Sequence, residues 1–165
     1  MAKGLEEHIK ALQSAENVQV DIGWFETEVY PPNEERNRKG GIPIAQVAYW
    51  NEFGNSRIPS RPFMRKAAAD GRPKVAALAA KLSPAVLSGQ MTIEQALKQI
   101  GLLMEGEVVD SIKGGGWKEN SKITVEGSPP DKNGKQFIKG KGFNKPLIDT
   151  SLMFQKVASK VSKGE

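Results

Sequence analysis

The sequence contains no cysteine. Disulfides, thiolate nucleophiles and thiolate zinc sites are therefore excluded. Histidine is nearly as scarce, since His8 is the only one. A serine–histidine triad would have to use it, and a polyhistidine metal site within one chain is impossible. No apolar run approaches the roughly 18 residues of a membrane span, so no membrane partner is expected. The opening MAKGLEEHIKAL is charged and amphipathic and lacks the apolar core of a signal peptide, which argues against export. The glycine clusters GGG at 114–116 and KGKG at 139–142 do not fit a phosphate loop, which needs a strand before it, a helix after it, and lysine followed by Ser or Thr. Glu105, Glu107 and Asp110 end a predicted helix and read as a solvated face. No nucleophile–base pair can be argued, and Asp110 and Asp149 have no histidine partner. These absences predict a protein without cofactor, metal or catalytic residues, and not an enzyme.

What is present is 165 residues, the size of one domain spanning 1–165. A compact fold of that length buries about 70% of its unfolded surface. Hydrophobic residues make up 38% and the mean hydropathy is −0.46, which predicts a modest core and much surface. The net charge of +5 is unevenly spread. Residues 1–109 hold 13 basic and 13 acidic side chains, whereas 110–165 hold 11 lysines against 6 acids. The basic third suits an acidic partner or nucleic acid, and it equally suits a solvated, lysine-rich loop. Its lysines are scattered through glycine-rich sequence, where only Trp117, Phe137 and Phe143 are placed to stack on bases.

Along the chain, Leu5, Ile9 and Leu12 predict an amphipathic helix over 3–15. Val18, Val20, Ile22 and Trp24 alternate with polar residues or glycine and predict a half-buried strand. Residues 26–42 read as a long turn or flexible loop, or the tip of a hairpin. Pro43 suits the first turn of a short helix over about 43–53, with Gly54 as a left-handed cap. Residues 62–88 predict an alanine-rich helix that Pro73 kinks or breaks within DGRP. Thr92 and Gln95 match a capping box. The helix it opens carries Ile93, Leu97, Ile100, Met104, Val108 and Ile112 at three- or four-residue spacing and ends at the triple glycine. The short loop between these helices implies an antiparallel pair. Residues 113–146 read as a flexible, glycine-rich loop whose only strand is ITVE, 123–126. Asp149 or Thr150 is the expected cap of a short helix, and QKVASKV, with Val157 and Val161 four apart, suits helix or strand, a last strand pairing with 18–24 being the favoured reading.

Two signatures stand out. The first is VAYWNEFG followed by IPSRPFMR, and the second is GWKENS-x-ITV followed by KPLIDT. With both in this order across the helical pair, the sequence resembles the tail-completion and head–tail joining (neck) proteins of tailed bacteriophages and prophages. The resemblance spans roughly residues 18–155. It carries over onto Asn51, Glu52, Phe53 and Gly54, then Pro59, Arg61, Pro62, Phe63 and Arg65. In the second signature it covers Trp117, Asn120, Ser121 and Thr124, then Lys145, Pro146, Leu147, Ile148, Asp149 and Thr150. The sequence departs from the family pattern at Ser151, where glycine is usual, and in an extra segment, GSPPDKNGKQFIKGKGF.

The expected fold is one α+β domain, a small antiparallel β-sheet packed against a long antiparallel helical pair with short helices. On the bland reading Phe53 and Phe63 enter the core while Arg57 or Arg61 pairs with Glu52. On the interface reading Arg57, Arg61, Arg65, Trp117 and Asn120, with Lys135, Lys139 and Lys141, contact other subunits, as Arg and aromatics often do. The resemblance implies a structural virion protein of the tail or neck, assembled in the host cytoplasm as a homo-oligomeric, hexameric ring. Its implied neighbours are connector and tail-tube proteins, with DNA passing through without sequence-specific binding. The rival reading is a nucleic-acid-binding protein that uses the basic C-terminal third.

Overall fold

The computed structural model describes residues 6, 9, 10, 13, 17–25, 27–34 and 38–163. The elements run β1 (Val18–Gly23), β2 (Val29–Tyr30), β3 (Ile42–Pro43), α1 (Ile44–Phe53), α2 (Phe63–Leu87), α3 (Ile93–Lys113), α4 (Lys122–Glu126), α5 (Leu152–Gln155) and β4 (Ala158–Lys163). The class is α+β, with a small antiparallel sheet and a pair of long helices. The chain divides into two compact units, one of residues 1–23, 65–109 and 157–165, the other of 24–64 and 110–156. Of the helix expected over 3–15, residues 6, 9, 10 and 13 are helical. Leu5, His8 and Leu12 lie outside the described residues.

In the first unit, β1 and β4 pair antiparallel from Val18↔Lys163 to Gly23↔Ala158, so the C-terminal segment takes the strand alternative. Asp21 opposes Lys160, a favourable cross-strand charge pair, while Val20 opposes Val161. The long helices fit closely through glycine. Gly71 of α2 stands against Met104 and Glu107 of α3, and the 88–92 turn joins the other ends, so the helices run antiparallel. Lys74 and Glu107 close the same seam with an ion pair. Gly101 lets α3 lie on the sheet, where a Cβ would come 2.7 Å from Ser159 Cβ and 3.1 Å from Val20. The capping box forms in both directions. The Thr92 amide donates to Gln95 Oε1 at 2.9 Å, and the Gln95 amide to Thr92 Oγ1 at 3.2 Å.

Of the kink or break expected at Pro73, the break does not occur, because α2 runs unbroken through both Pro73 and Pro84. A proline costs a helix about 3 kcal/mol. Burial of Ala67 and Leu82 and the seam at Gly71 offset that loss, so packing overrides the local preference.

In the second unit, β2 and β3 form a hairpin paired Val29↔Pro43 and Tyr30↔Ile42, extended by an Asn33–Arg38 bridge. Pro43 precedes α1 by one position, and the Ile44 amide donates to Glu28 O. One face of α1 buries Ile44, Ala48 and Glu52. Phe63 is fully enclosed, with Trp24 meeting its ring edge-on at 6.0 Å. Burying such a side chain stabilises the fold by about 1.5–3 kcal/mol. Trp24 Nε1 donates to Met153 O, Ser111 Oγ to Phe63 O and Trp117 Nε1 to Ser111 O, which ties four segments around that ring.

Three further expectations are corrected here. Residues 123–126 lie in helix α4, not a strand. Ser121 caps it by accepting from the Thr124 amide, and Gly127 closes it with φ +92°, so local capping outweighs the β-branched run. The cap residue of α5 is Ser151, not Asp149 or Thr150. It adopts φ +65°, a left-handed conformation that favours glycine. Gly54 does have positive φ, at +76°, but its ψ of 174° is not that of a left-handed cap. It is required because a Cβ there would stand 2.6 Å from the Ser60 nitrogen.

Candidate functional site

NEFGNSRIPSRPFMR folds into a self-locking turn in the second unit. Asn55 Oδ1 accepts from the amides of Arg57 and Ile58, and Ser60 Oγ donates to Glu52 O. Glu52 is buried, and its Oε2 accepts from the Met64 amide in the first turn of α2, at 2.8 Å. A carboxylate is favoured there, because the first amides of a helix lack intrahelical partners and carry partial positive charge. The Arg61 guanidinium, one of the two expected partners of Glu52, turns instead to four other oxygens.

Arg61 is 4% exposed. Its Nε donates to Lys118 O at 2.7 Å, Nη1 to Asn51 Oδ1 at 2.8 Å, and Nη2 to Glu119 O at 3.0 Å and Asn120 Oδ1 at 3.4 Å. One guanidinium thus ties the first signature to the second. Asn51 is held ready by donating its own Nδ2 to Val47 O. Burial lowers the Arg61 pKa from its ordinary value.

Around this junction lies a cleft of about 380 Å³. Arg57, Arg61, Asn120, Lys139 and Lys141 line it, so five of the eight expected interface residues come together. The other three lie apart from its lining. Trp117 is half-buried, Lys135 is exposed on the same unit, and Arg65 is exposed and belongs to the first unit. Lys141 Nζ donates to Lys145 O and Ile148 O, both at 2.7 Å, and sits over the Phe143 ring at 4.7 Å. The extra segment 127–143 thereby supplies part of the cleft wall. Pro146 is half-buried beside it.

Arg38 and Tyr30 also line the cleft, and neither was expected from the sequence. Arg38 lies 3.5 Å from Asp149 and 5.2 Å above the Tyr30 ring. Burial, helped by Asp149 and opposed by Arg38, pushes the Tyr30 hydroxyl up to about 12. Asp149 is the sole carboxylate among the described lining residues. The lining hydroxyls of Ser121 and Thr124 bond each other at 2.9 Å. Among the described residues no group of three or more His, Cys, Asp or Glu is arranged to hold a metal. In the adjoining PLIDT stretch, Thr150 Oγ1 is buried without a hydrogen-bond partner.

A further correction concerns Phe53. It is not in the core but 56% exposed, and it stacks on Tyr49, 58% exposed, at 4.8 Å between ring centres. Positions 49 and 53 are one helical turn apart on the face of α1 opposite Ile44 and Ala48. That spacing was readable in the sequence as an outward aromatic pair. Among the described residues no helix is long and apolar enough to cross a membrane. No protein-family model, curated protein or solved structure matches this chain.

Proposed function

We propose that the protein is a structural virion component that completes a phage tail or joins it to the head, working by assembly and not by catalysis. The observation that carries this reading is the Tyr49–Phe53 stack. Two large rings held in water by a well-packed helix are characteristic of contact surfaces, where aromatic residues are enriched. The family resemblance of the two signatures supplies the kind of assembly. Copies associate head to tail until the rotation closes a ring, six-fold to suit the tail, around the DNA channel. The neighbours are connector and tail-tube proteins, and DNA passes without being read. The protein acts in the tail or neck of the virion after assembly in the host cytoplasm.

Light scattering across a concentration range, with negative-stain imaging of the same sample, tests the reading. The expected result is a closed ring, or a monomer that becomes one when tail tubes are added. Tyr49→Ser with Phe53→Ser should abolish it while leaving the circular dichroism spectrum unchanged. A double variant that assembles normally refutes the role given to these rings.

One observation favours the rival. Phe137 is 67% exposed between Lys135 and Lys139, a basic segment with an available ring. Charge reversal of Lys135, Lys139 and Lys141 should abolish salt-sensitive DNA retention, with normal ring formation, if nucleic-acid binding is the task.

A further inference from the structure

The cleft has a chemistry that ring closure through α1 does not require. A buried cation is ordinarily matched by a carboxylate. Arg61 has none. Its four acceptors are all neutral oxygens, and of the five N–H donors of a guanidinium, one on Nη1 is left without a partner among the described residues. Among the described residues that line the cleft, Arg38, Arg57, Lys139 and Lys141 accompany Arg61, with Asp149 the one carboxylate. Between these charges the wall is aliphatic, with Ile42, Ile58, Ile123, Ile138, Leu147 and Ile148. The one ring among the described lining residues is Tyr30, which lies buried beneath Arg38.

We infer that this cleft docks an acidic, aliphatic-bearing segment of a partner protein. The segment's carboxylates meet the Arg57, Arg61 and Lys139 side of the cleft, and its apolar side chains lie along the isoleucines. Charge complementarity selects an anion. The aliphatic wall and the lack of a free aromatic platform select a peptide over nucleic acid, which is held by base stacking on exposed rings. A volume of about 380 Å³ admits a few side chains of an extended segment. The inference goes beyond the assembly reading and does not depend on it, because Tyr49 and Phe53 are not among the lining residues.

Fluorescence anisotropy on the full chain tests it with three labelled probes: a short peptide alternating Glu with Leu, its Gln–Leu counterpart, and a short single-stranded oligonucleotide. The Glu–Leu peptide should bind about tenfold or more tighter than the Gln–Leu peptide. Arg61 itself holds the fold together, so the variants are placed at exposed positions. Arg57→Glu with Lys139→Glu should weaken the Glu–Leu peptide about tenfold or more. Lys132→Glu with Lys135→Glu makes the same charge change away from the cleft and should alter binding by less than about threefold. Ile123→Glu gives an independent reading of the aliphatic wall and should also weaken binding, with thermal melting confirming that each variant is folded. Tyr49→Ser with Phe53→Ser should leave peptide binding intact, so failure of this inference and failure of the assembly reading are separable. Equal binding of the two peptides, equal loss from both charge-reversed pairs, or tighter binding of the oligonucleotide overturns the inference.

Discussion

If Arg61 is the clasp between the two signatures, its fork geometry should matter as much as its charge. The test replaces it with lysine and with methionine. Arg61 makes four hydrogen bonds to oxygens on Asn51, Lys118, Glu119 and Asn120. A bond from a charged donor contributes about 1.5–3 kcal/mol net, and bonds sharing one side chain do not add. Arg61→Met keeps most of the stem packing but strands the Lys118 and Glu119 carbonyls, and a loss of about 3–5 kcal/mol is expected. Arg61→Lys keeps the charge, but one ammonium reaches at most one or two of these separated oxygens, and the expected loss is about 2–3 kcal/mol. Each is a large share of a domain stability of about 5–15 kcal/mol. Urea unfolding followed by tryptophan fluorescence suits the question, because Trp24, Trp50 and Trp117 all lie in the unit that Arg61 ties together. A loss under about 1 kcal/mol for either variant refutes the reasoning. It would mean that residues 118–120 are held by something other than the guanidinium.

Three further outcomes follow from single atoms of the structure. Gly101→Ala should lose about 1–3 kcal/mol in urea melts, since its Cβ meets the fixed Cβ of Ser159, whereas Gly71→Ala should stay within about 1 kcal/mol of the wild type because it meets the flexible thioether of Met104 and, at 3.3 Å, the Glu107 Cγ. Ser151→Gly should raise stability by about 0.5–1 kcal/mol, the relief of a left-handed serine less the added entropy of glycine when unfolded, and a lowered melting temperature counts against it. Tyr30, raised to about 12 in the folded state from about 10, keeps its proton longer when folded, so its contribution is full below about pH 10 and is lost as pH rises through 12. Over that window the wild type should lose up to about 2–3 kcal/mol relative to Tyr30→Phe, and parallel stability curves would remove the role assigned to burial.

Much of the scaffold was legible because it rests on short-range signals. The 3.6-residue stripe from Ile93 to Ile112 and the Thr92–Gln95 box specify α3 within its own sequence. The alternation in 18–24 specifies β1, whereas Val157 and Val161, four apart, suit helix or strand, and pairing with β1 decides for the strand. The errors share a cause, which is that a distant or competing contact decided the outcome. ITVE has strand composition, but Ser121 offers its amides a cap and Gly127 ends the turn. Pro73 weakens a helix that packing nevertheless holds together.

The cleft was legible only in part, and Arg61 explains why. Arginine beside prolines in a polar stretch reads as surface charge, since arginine is rarely fully buried. What decides its fate lies 57 residues away. The triple glycine ends α3, and residues 115–121 adopt no regular structure, so their carbonyls have no ladder to join. Backbone acceptors in a packed segment need donors from somewhere. Arginine alone among side chains offers five N–H groups in a rigid fork. The usable signal was therefore not a motif but a deficit. An irregular stretch bearing a half-buried tryptophan must dock against the fold, and NSRIPSRP is the segment with donors to receive it. The same logic that buries Arg61 also leaves its charge without a counter-ion among the described residues. The residue that closes the fold is thus the one that gives the cleft its demand for a partner's carboxylate.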